Sequence, residues 1–197
     1  MPDLFDDLPT PDVAWFPDWL AVDHAATLLG RIVDEVAWKQ DTMGTPAGRV
    51  PLPRLTAWQG DPDAVYVYSG IRNLPAPWTS AVAELKAAAE AGSDTRFNSV
   101  LINRYRHGLD SMGWHADREP ELGAQPVIAS VSLGVARRFD LRHNLTGVTQ
   151  SFQMKGGSLL VMCGRTQAEW RHRVPREPRV MGERVNLTFR WVNPRNG

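Results

Sequence analysis

His115 and Asp117 stand two apart in the stretch GWHADRE, behind a segment that reads as a strand. Side chains at i and i+2 of an extended segment leave the same face, so an imidazole and a carboxylate spaced this way converge. A surface loop or a salt-bridged pair shares that composition. A second imidazole, His172 in EWRHRVP, follows after a strand-rich stretch. Two imidazoles and one carboxylate fill three positions of an octahedral metal and leave three open. The open positions suit a bidentate 2-oxo acid and dioxygen. Zinc more often recruits additional His or Cys ligands, and Cys163 is the only cysteine.

The C-terminal stretch RVNLTFR supplies the complementary chemistry. Alternation places Arg184, Asn186, Thr188 and Arg190 on one face and Val185, Leu187 and Phe189 on the other. In LINRY, Asn103 and Tyr105 share a face in the same way. A polar face turned inward is expensive unless it binds something charged. The Cα atoms of Arg184 and Arg190 lie roughly 20 Å apart in an extended strand. Inward reach of about 6 Å from each leaves about 8 Å between guanidiniums, room for a short dicarboxylate gripped at both ends. Two exposed arginines on an edge strand would show the same pattern.

These residues need a scaffold, and the sequence divides into two regimes. Residues 1–20 read as an irregular arm docked by Trp15, Phe16 and Trp19. DHAATLLGRIVDEVAW reads as a helix capped by Asp23, with Ala25, Leu28, Leu29, Ile32 and Val36 on one face. Residues 39–64 lack periodicity, as a functional loop or short β-structure does. AVYVYSG alternates as a strand, with Tyr66 and Tyr68 on one face. PWTSAVAELKAAAEAG reads as a second helix, opened by Pro77 and closed by Gly92. From residue 97 the period becomes two, through FNSVLINRY, VIASVSLG, RRFDLRH, SFQMK, SLLVMC and ERVNLTFRWV, with Gly156-Gly157 as a hairpin turn. So many short strands predict a sandwich, jelly roll or barrel.

At 197 residues, 43% hydrophobic and 22% charged, the chain is expected to form one domain. No apolar run is long enough for a membrane span. The acidic, Pro-rich start is the reverse of a signal peptide. A monomer in the reducing cytosol of the cytoplasm is the expectation. Net charge is 0, but the first 23 residues hold six aspartates and no Lys or Arg, leaving +6 on the remainder. A modestly basic body can face phosphates, and many enzymes share that balance.

FNSVLINRYRHGLDSMGWHADRE, SLLVMCGRTQAEWRHRVP and RVNLTFR, in this order, resemble the AlkB family of Fe(II)- and 2-oxoglutarate-dependent dioxygenases. The likeness is closest to members that act on alkylated DNA. It runs from about residue 64 to 192, and residues 1–60 match loosely. The resemblance implies an α+β fold with a mostly β core, a double-stranded β-helix (jelly roll) preceded by helices and a nucleotide-recognition lid. A single catalytic domain would comprise the arm 1–20, helices and lid over about 21–95, and the jelly roll over about 96–193.

Carried over position by position, the resemblance makes His115, Asp117 and His172 the iron ligands. Asn103, Tyr105, Arg184, Asn186 and Arg190 would hold 2-oxoglutarate, with Arg184 and Tyr105 on the distal carboxylate and Arg190 and Asn103 nearer the metal. Glu119 falls where the family places an acidic residue facing the target base, and Arg118 has a looser match. Tyr68 and His115 would sandwich the base, with Tyr66 and Ser69 beside it. Arg54 and the Met43–Val50 loop are candidates to probe the nucleic acid. The implied activity is oxidative demethylation of 1-methyladenine and 3-methylcytosine in single- or double-stranded DNA, using O2 and releasing formaldehyde. An N-methyl group on a Watson–Crick edge must be extruded to be reached. The same ligand spacing serves a demethylase of RNA or of a non-nucleic-acid substrate, and a catalytically silent binding module. Arg165, Arg171, Arg173, Arg176 and Arg179 form a candidate phosphate track or a solvated loop. The eight tryptophans are expected mostly in the core.

Overall fold

A computed structural model describes residues 8–46, 48–68 and 71–193, without the side chains of 66–68 and 71–73. In chain order the elements are β1 (Val13–Phe16), α1 (Val22–Glu35), β2 (Thr42–Thr45), β3 (Gly48–Pro51), β4 (Leu55–Gly60), β5 (Tyr66–Tyr68) and β6 (Ile71–Asn73). They continue with α2 (Ser80–Ser93), β7 (Ser99–Tyr105), β8 (Met112–His115), β9 (Ile128–Gly134), β10 (Arg137–His143), β11 (Thr149–Met154), β12 (Ser158–Met162), α3 (Thr166–Glu169), β13 (Trp170–Val174) and β14 (Arg184–Arg190).

A six-stranded sheet has the order β1-β12-β9-β14-β7-β4, and a four-stranded sheet the order β11-β10-β13-β8. All named pairings within them are antiparallel. The two sheets form the double-stranded β-helix. Two separate ribbons, β2–β3 and β5–β6, stand outside it.

Period two decides what each strand faces. Val100 and Ile102 of β7, Val131 and Leu133 of β9, and Val185, Leu187 and Phe189 of β14 pack under α1 and α2. The alternate residues face the second sheet, where Tyr105, Ile128, Phe139, Leu141, Phe152, Met154, Leu160 and Met162 form a second core. β14 runs between β9 and β7, so Arg184 and Arg190 lie on an interior strand rather than an edge.

The helices bury Ala25, Leu28 and Ile32 of α1 and Ala81, Val82, Leu85 and Ala89 of α2. Their ends differ from expectation. Ala21 precedes α1, so Asp23 sits in its first turn rather than at the cap, where a carboxylate still complements the helix dipole. Val36 turns extended and ends the helix before Trp38. α2 starts after Thr79, beyond Pro77, and passes Gly92 to stop at Asp94, which is left-handed (φ 48). Glu35 joins the helices by accepting the Ala81 N–H at 2.8 Å.

Other expectations are corrected too. The arm is not wholly irregular: Val13–Phe16 pairs along β12 and extends the larger sheet. Trp15 packs on Phe152 at 5.6 Å between ring centroids, and Phe16 is exposed. Gly156-Gly157 does not close a hairpin, since β11 and β12 belong to different sheets. Gly157 (φ 85) instead carries the chain across, donating to the Ser132 carbonyl. Among the tryptophans only Trp170 is fully buried, and Trp191 is exposed; large indoles here cover the core's margins. No described helix is long and apolar enough to cross a membrane.

Candidate metal centre

His172, on β13, is the register partner of His115, on β8. Their rings meet at 4.1 Å between centroids. Asp117 follows β8 after one residue and curls back, placing Oδ1 3.9 Å from His115 Nε2. One ligand atom from each of His115, Asp117 and His172 lies within 4.8 Å of the others, the spacing of a common metal.

Asp117 is fixed through its carboxylate, its backbone N–H and the residue after it. Arg190 donates from Nη2 to Asp117 Oδ2 at 2.6 Å in a buried ion pair. Gln167, buried on α3, accepts the Asp117 N–H at Oε1 (2.9 Å). Arg118, exposed, donates to the carbonyls of Gln167 (2.6 Å) and Ala168 (2.5 Å), lashing the metal loop to the same turn. The turn is itself fixed by Asp12, whose carbonyl accepts from Cys163 N and Thr166 Oγ1. On the other side, His115 Nδ1 lies 2.8 Å from the Gly113 carbonyl, a contact that orients its ring.

The electrostatics suit a divalent cation. Burial pushes the Asp117 carboxyl up, but Arg190, His172 and His115 outweigh it and hold the group below the usual carboxylate range. Burial, with His115 and Arg190 adding to it, pushes His172 down to about 3 against the pull of Asp117. The imidazole is therefore neutral, the form that ligates.

A narrow cavity between the sheets extends from the triad and is lined by Asn103, Tyr105, Ser130, Asn186, Thr188 and Arg190, with Leu101, Met112, Phe139, Met162 and Val174 as its apolar walls. Arg184 lies behind Tyr105, its guanidinium 5.4 Å from the ring centroid. It is 1% exposed, and burial pushes its pKa down to about 10. Nη2 donates to Ser132 Oγ at 2.7 Å, while Nε and Nη1 are buried without a protein partner, as is Nδ1 of His172. Buried donors are paired in native cores, so an anion beside Arg184 fits what the protein leaves unmatched. Three ligands and an unmatched buried guanidinium fit Fe(II) and 2-oxoglutarate.

The remaining sequence candidates fall in three places. Asn186 donates to Ser130 Oγ and the Val131 carbonyl. Asn103 accepts from Arg54 Nε at 2.8 Å, so Arg54 braces a cavity residue. Glu119 is half-buried at the start of the turn Pro120–Leu122, just past Asp117. Tyr66 and Tyr68 lie in β5; their side chains, and all of Ser69, lie outside the described residues. Met43 and Val50 face each other as exposed partners across β2–β3. Of the arginine track, Arg165 pairs with Glu169 and Arg176 donates to the Leu109 carbonyl, while Arg171 and Arg173 share β13.

Sequence reasoning passed over Gln167, Ser130 and Ser132. The serines had a signal, the period-two polar positions of IASVS. Gln167 had none, since a four-residue helix carries no periodicity.

Residues 12–190 match the model of the 2OG-Fe(II) oxygenase superfamily. The chain is 40% identical over 192 residues to alpha-ketoglutarate-dependent dioxygenase alkB homolog 3 of Rattus norvegicus, covering 92% of this chain and 64% of that protein. It is 38% identical over 149 residues to the DNA oxidative demethylase ALKBH2 of Homo sapiens, covering 72% of this chain and 57% of that protein. The chain thus spans less than two thirds of the length of these relatives. The solved structure of OsALKBH1 superposes with a TM-score of 0.65 at 19% identity, over 93% of this chain and 99% of that one, a likeness of fold.

Proposed function

The chain belongs to the AlkB family within the 2OG-Fe(II) oxygenase superfamily, and we propose that it is an oxidative demethylase of N-alkylated nucleobases, 1-methyladenine and 3-methylcytosine in DNA. The observation that carries this is the convergence of His115, Asp117 and His172 beside a cavity lined by Tyr105, against whose ring lies the buried, partly unmatched Arg184. When bound, iron and 2-oxoglutarate use O2 to hydroxylate the N-methyl group, giving succinate, CO2 and an N-hydroxymethyl product that releases formaldehyde.

The protein's part is placement. His115, Asp117 and His172 hold the metal. Arg190 occupies Oδ2 of Asp117 and leaves Oδ1 on the His115 side for ligation. Arg184 takes the far carboxylate of the keto acid beside the Tyr105 ring. Asn103 and Asn186 offer amide groups along the cavity, and Arg54 fixes the first of them. Phe139 stacks on His172 at 5.3 Å and, with Met112, Leu101 and Val174, keeps water from the ligands. Glu119 accepts from the exocyclic amine of the extruded base, a group that adenine and cytosine share. Tyr66, Tyr68 and Ser69 receive the base itself.

The test is incubation with Fe(II), 2-oxoglutarate and oligonucleotides carrying 1-methyladenine or 3-methylcytosine, scoring formaldehyde and succinate. Equal yields of the two are expected from methylated strands. Succinate at the same low rate with methylated and plain strands, and no formaldehyde, would overturn the reading.

A further inference from the structure

The turn that braces Asp117 is itself braced by Asp12, 153 positions before Arg165. Residues 163–169 link β12 to β13 through the single turn of α3. A helix of four residues has no stability of its own, so its place is set by what it touches. On one side it touches the metal loop: Gln167 accepts the Asp117 N–H, and Arg118 donates to the Gln167 and Ala168 carbonyls. Its last residue leads straight into β13, where His172 stands two places after Trp170. Two of the three metal ligands therefore depend on where this turn sits.

On the other side the turn touches Asp12. The Asp12 carbonyl accepts from Cys163 N and from Thr166 Oγ1, each at 2.9 Å, and Oδ2 accepts the Arg165 N–H at 2.9 Å. One exposed residue thus takes donors from three of four consecutive positions. Gly164 is the fourth. Its φ of 52 is left-handed, and a Cβ there would collide with Asp12 Oδ2, so a side chain at 164 would drive the aspartate off the turn. Thr166 is buried, so its hydroxyl relies on the Asp12 carbonyl for a partner.

Asp12 is held in turn by the strand that follows it. Val13–Phe16 pairs with β12 as the outermost strand of the larger sheet. Pro11 is buried, and Val13 and Trp15 pack on the core that contains Met162 and Trp170. Met162 closes the circuit: it pairs with Val13, lines the metal cavity and accepts from Gln167 Nε2 at 3.4 Å. β1 has a partner strand on one flank only, so it opens more readily than the strands inside the sheet.

We propose that β1 is a strap on the metal centre, with Asp12 as the positioning residue that couples it to Asp117. Docked, the strap holds the turn so that Gln167 fixes the Asp117 backbone. Undocked, it frees the turn, and the metal is held less tightly. Coupling of this kind is reciprocal, so a bound metal holds the strap down by the same factor. The proposal rests on His115, Asp117 and His172 as the metal ligands and is independent of the substrate.

The experiment uses the full chain and Mn(II), with affinity read by calorimetric titration and strap opening by hydrogen exchange of the segment 12–17. Asp12→Ala/Thr166→Val removes both side-chain links and is expected to bind Mn(II) about tenfold more weakly, the lower end of what losing an outer partner does. Asp12→Asn/Thr166→Ser keeps an oxygen and a hydroxyl at the same places and is expected to bind within about twofold of wild type. Saturating Mn(II) is expected to slow exchange of the segment about tenfold in wild type and to leave it unchanged in Gln167→Ala, where the link is cut. Wild-type affinity in Asp12→Ala/Thr166→Val, with only the melting temperature lowered, would reduce Asp12 to a structural contact and overturn the proposal. So would an equal weakening in Asp12→Asn/Thr166→Ser, or exchange in the segment that ignores Mn(II). Wild-type protein that binds Mn(II) no better than His172→Ala would overturn the ligand assignment, and the strap with it. Binding lost in His172→Ala yet unchanged in Asp12→Ala/Thr166→Val removes the strap alone.

Discussion

Replacing Gln167 with Ala removes the acceptor for a single N–H, that of Asp117, at 2.9 Å in a buried setting. No water-exposed route replaces it, since Asp117 and Gln167 are 4% and 2% exposed. An orphaned buried amide costs about 1–3 kcal/mol, and the loop relieves it by moving. Asp117 is the only carboxylate of the triad, so that movement is felt as metal affinity. Loss of such an outer partner weakens metal binding about 10- to 100-fold, or about 1.4–2.8 kcal/mol, in line with the amide penalty. The assay is calorimetric titration of Mn(II) into the metal-free protein, which needs no turnover. Gln167→Glu keeps an oxygen at the same place and should bind Mn(II) within about threefold of wild type. If Gln167→Ala also binds within threefold, the turn does not position Asp117 and the reasoning fails.

Arg184→Met should weaken 2-oxoglutarate binding to the Mn(II)-loaded protein by about 30-fold or more, because an anion then lies in the cavity without its cation; tryptophan fluorescence titration measures it. The same variant should not lower the melting temperature of the ligand-free protein, since it removes a buried guanidinium with two unmatched nitrogens. Arg137 is buried and donates to the carbonyls of His107, Gly108, Asp110 and Pro175 besides pairing with Glu177, so Arg137→Met should destabilise by about 3–5 kcal/mol in urea unfolding. Asp110 gives a pH test. Burial pushes its carboxyl up, but the Arg106 guanidinium and N–H hold it below the usual range, so its stabilisation is present above the unfolded value of about 4 and lost as pH falls through the lower folded value. Asp110→Asn should therefore lower the melting temperature by about 2–12 °C at pH 7, with the gap to wild type closing below about pH 4.

Much of the centre was legible because it is written in periods. The i, i+2 spacing of His115 and Asp117, and the alternation of Arg184 through Arg190 against Val185, Leu187 and Phe189, are local rules that the sheets obey. What stayed hidden depends on pairings across the chain. Arg190 reaches Asp117 across 73 residues, and nothing local says that its guanidinium turns to the metal ligand. Gly156-Gly157 carried a hairpin signature, yet the following strand joins the other sheet, a decision taken by β9 and β1. The four residues of β1 looked irregular because their partner, β12, lies far along the sequence.

The proposed activity requires one metal and one keto acid to share the cavity. A crystal structure of the protein with Mn(II) and 2-oxoglutarate, grown without oxygen, tests this directly. The ion should be bound by His115, Asp117 and His172, with the distal carboxylate of 2-oxoglutarate on the Arg184 guanidinium, which has donors unmatched within the protein. Mn(II) held elsewhere, or a keto acid that leaves Arg184 untouched, would contradict it.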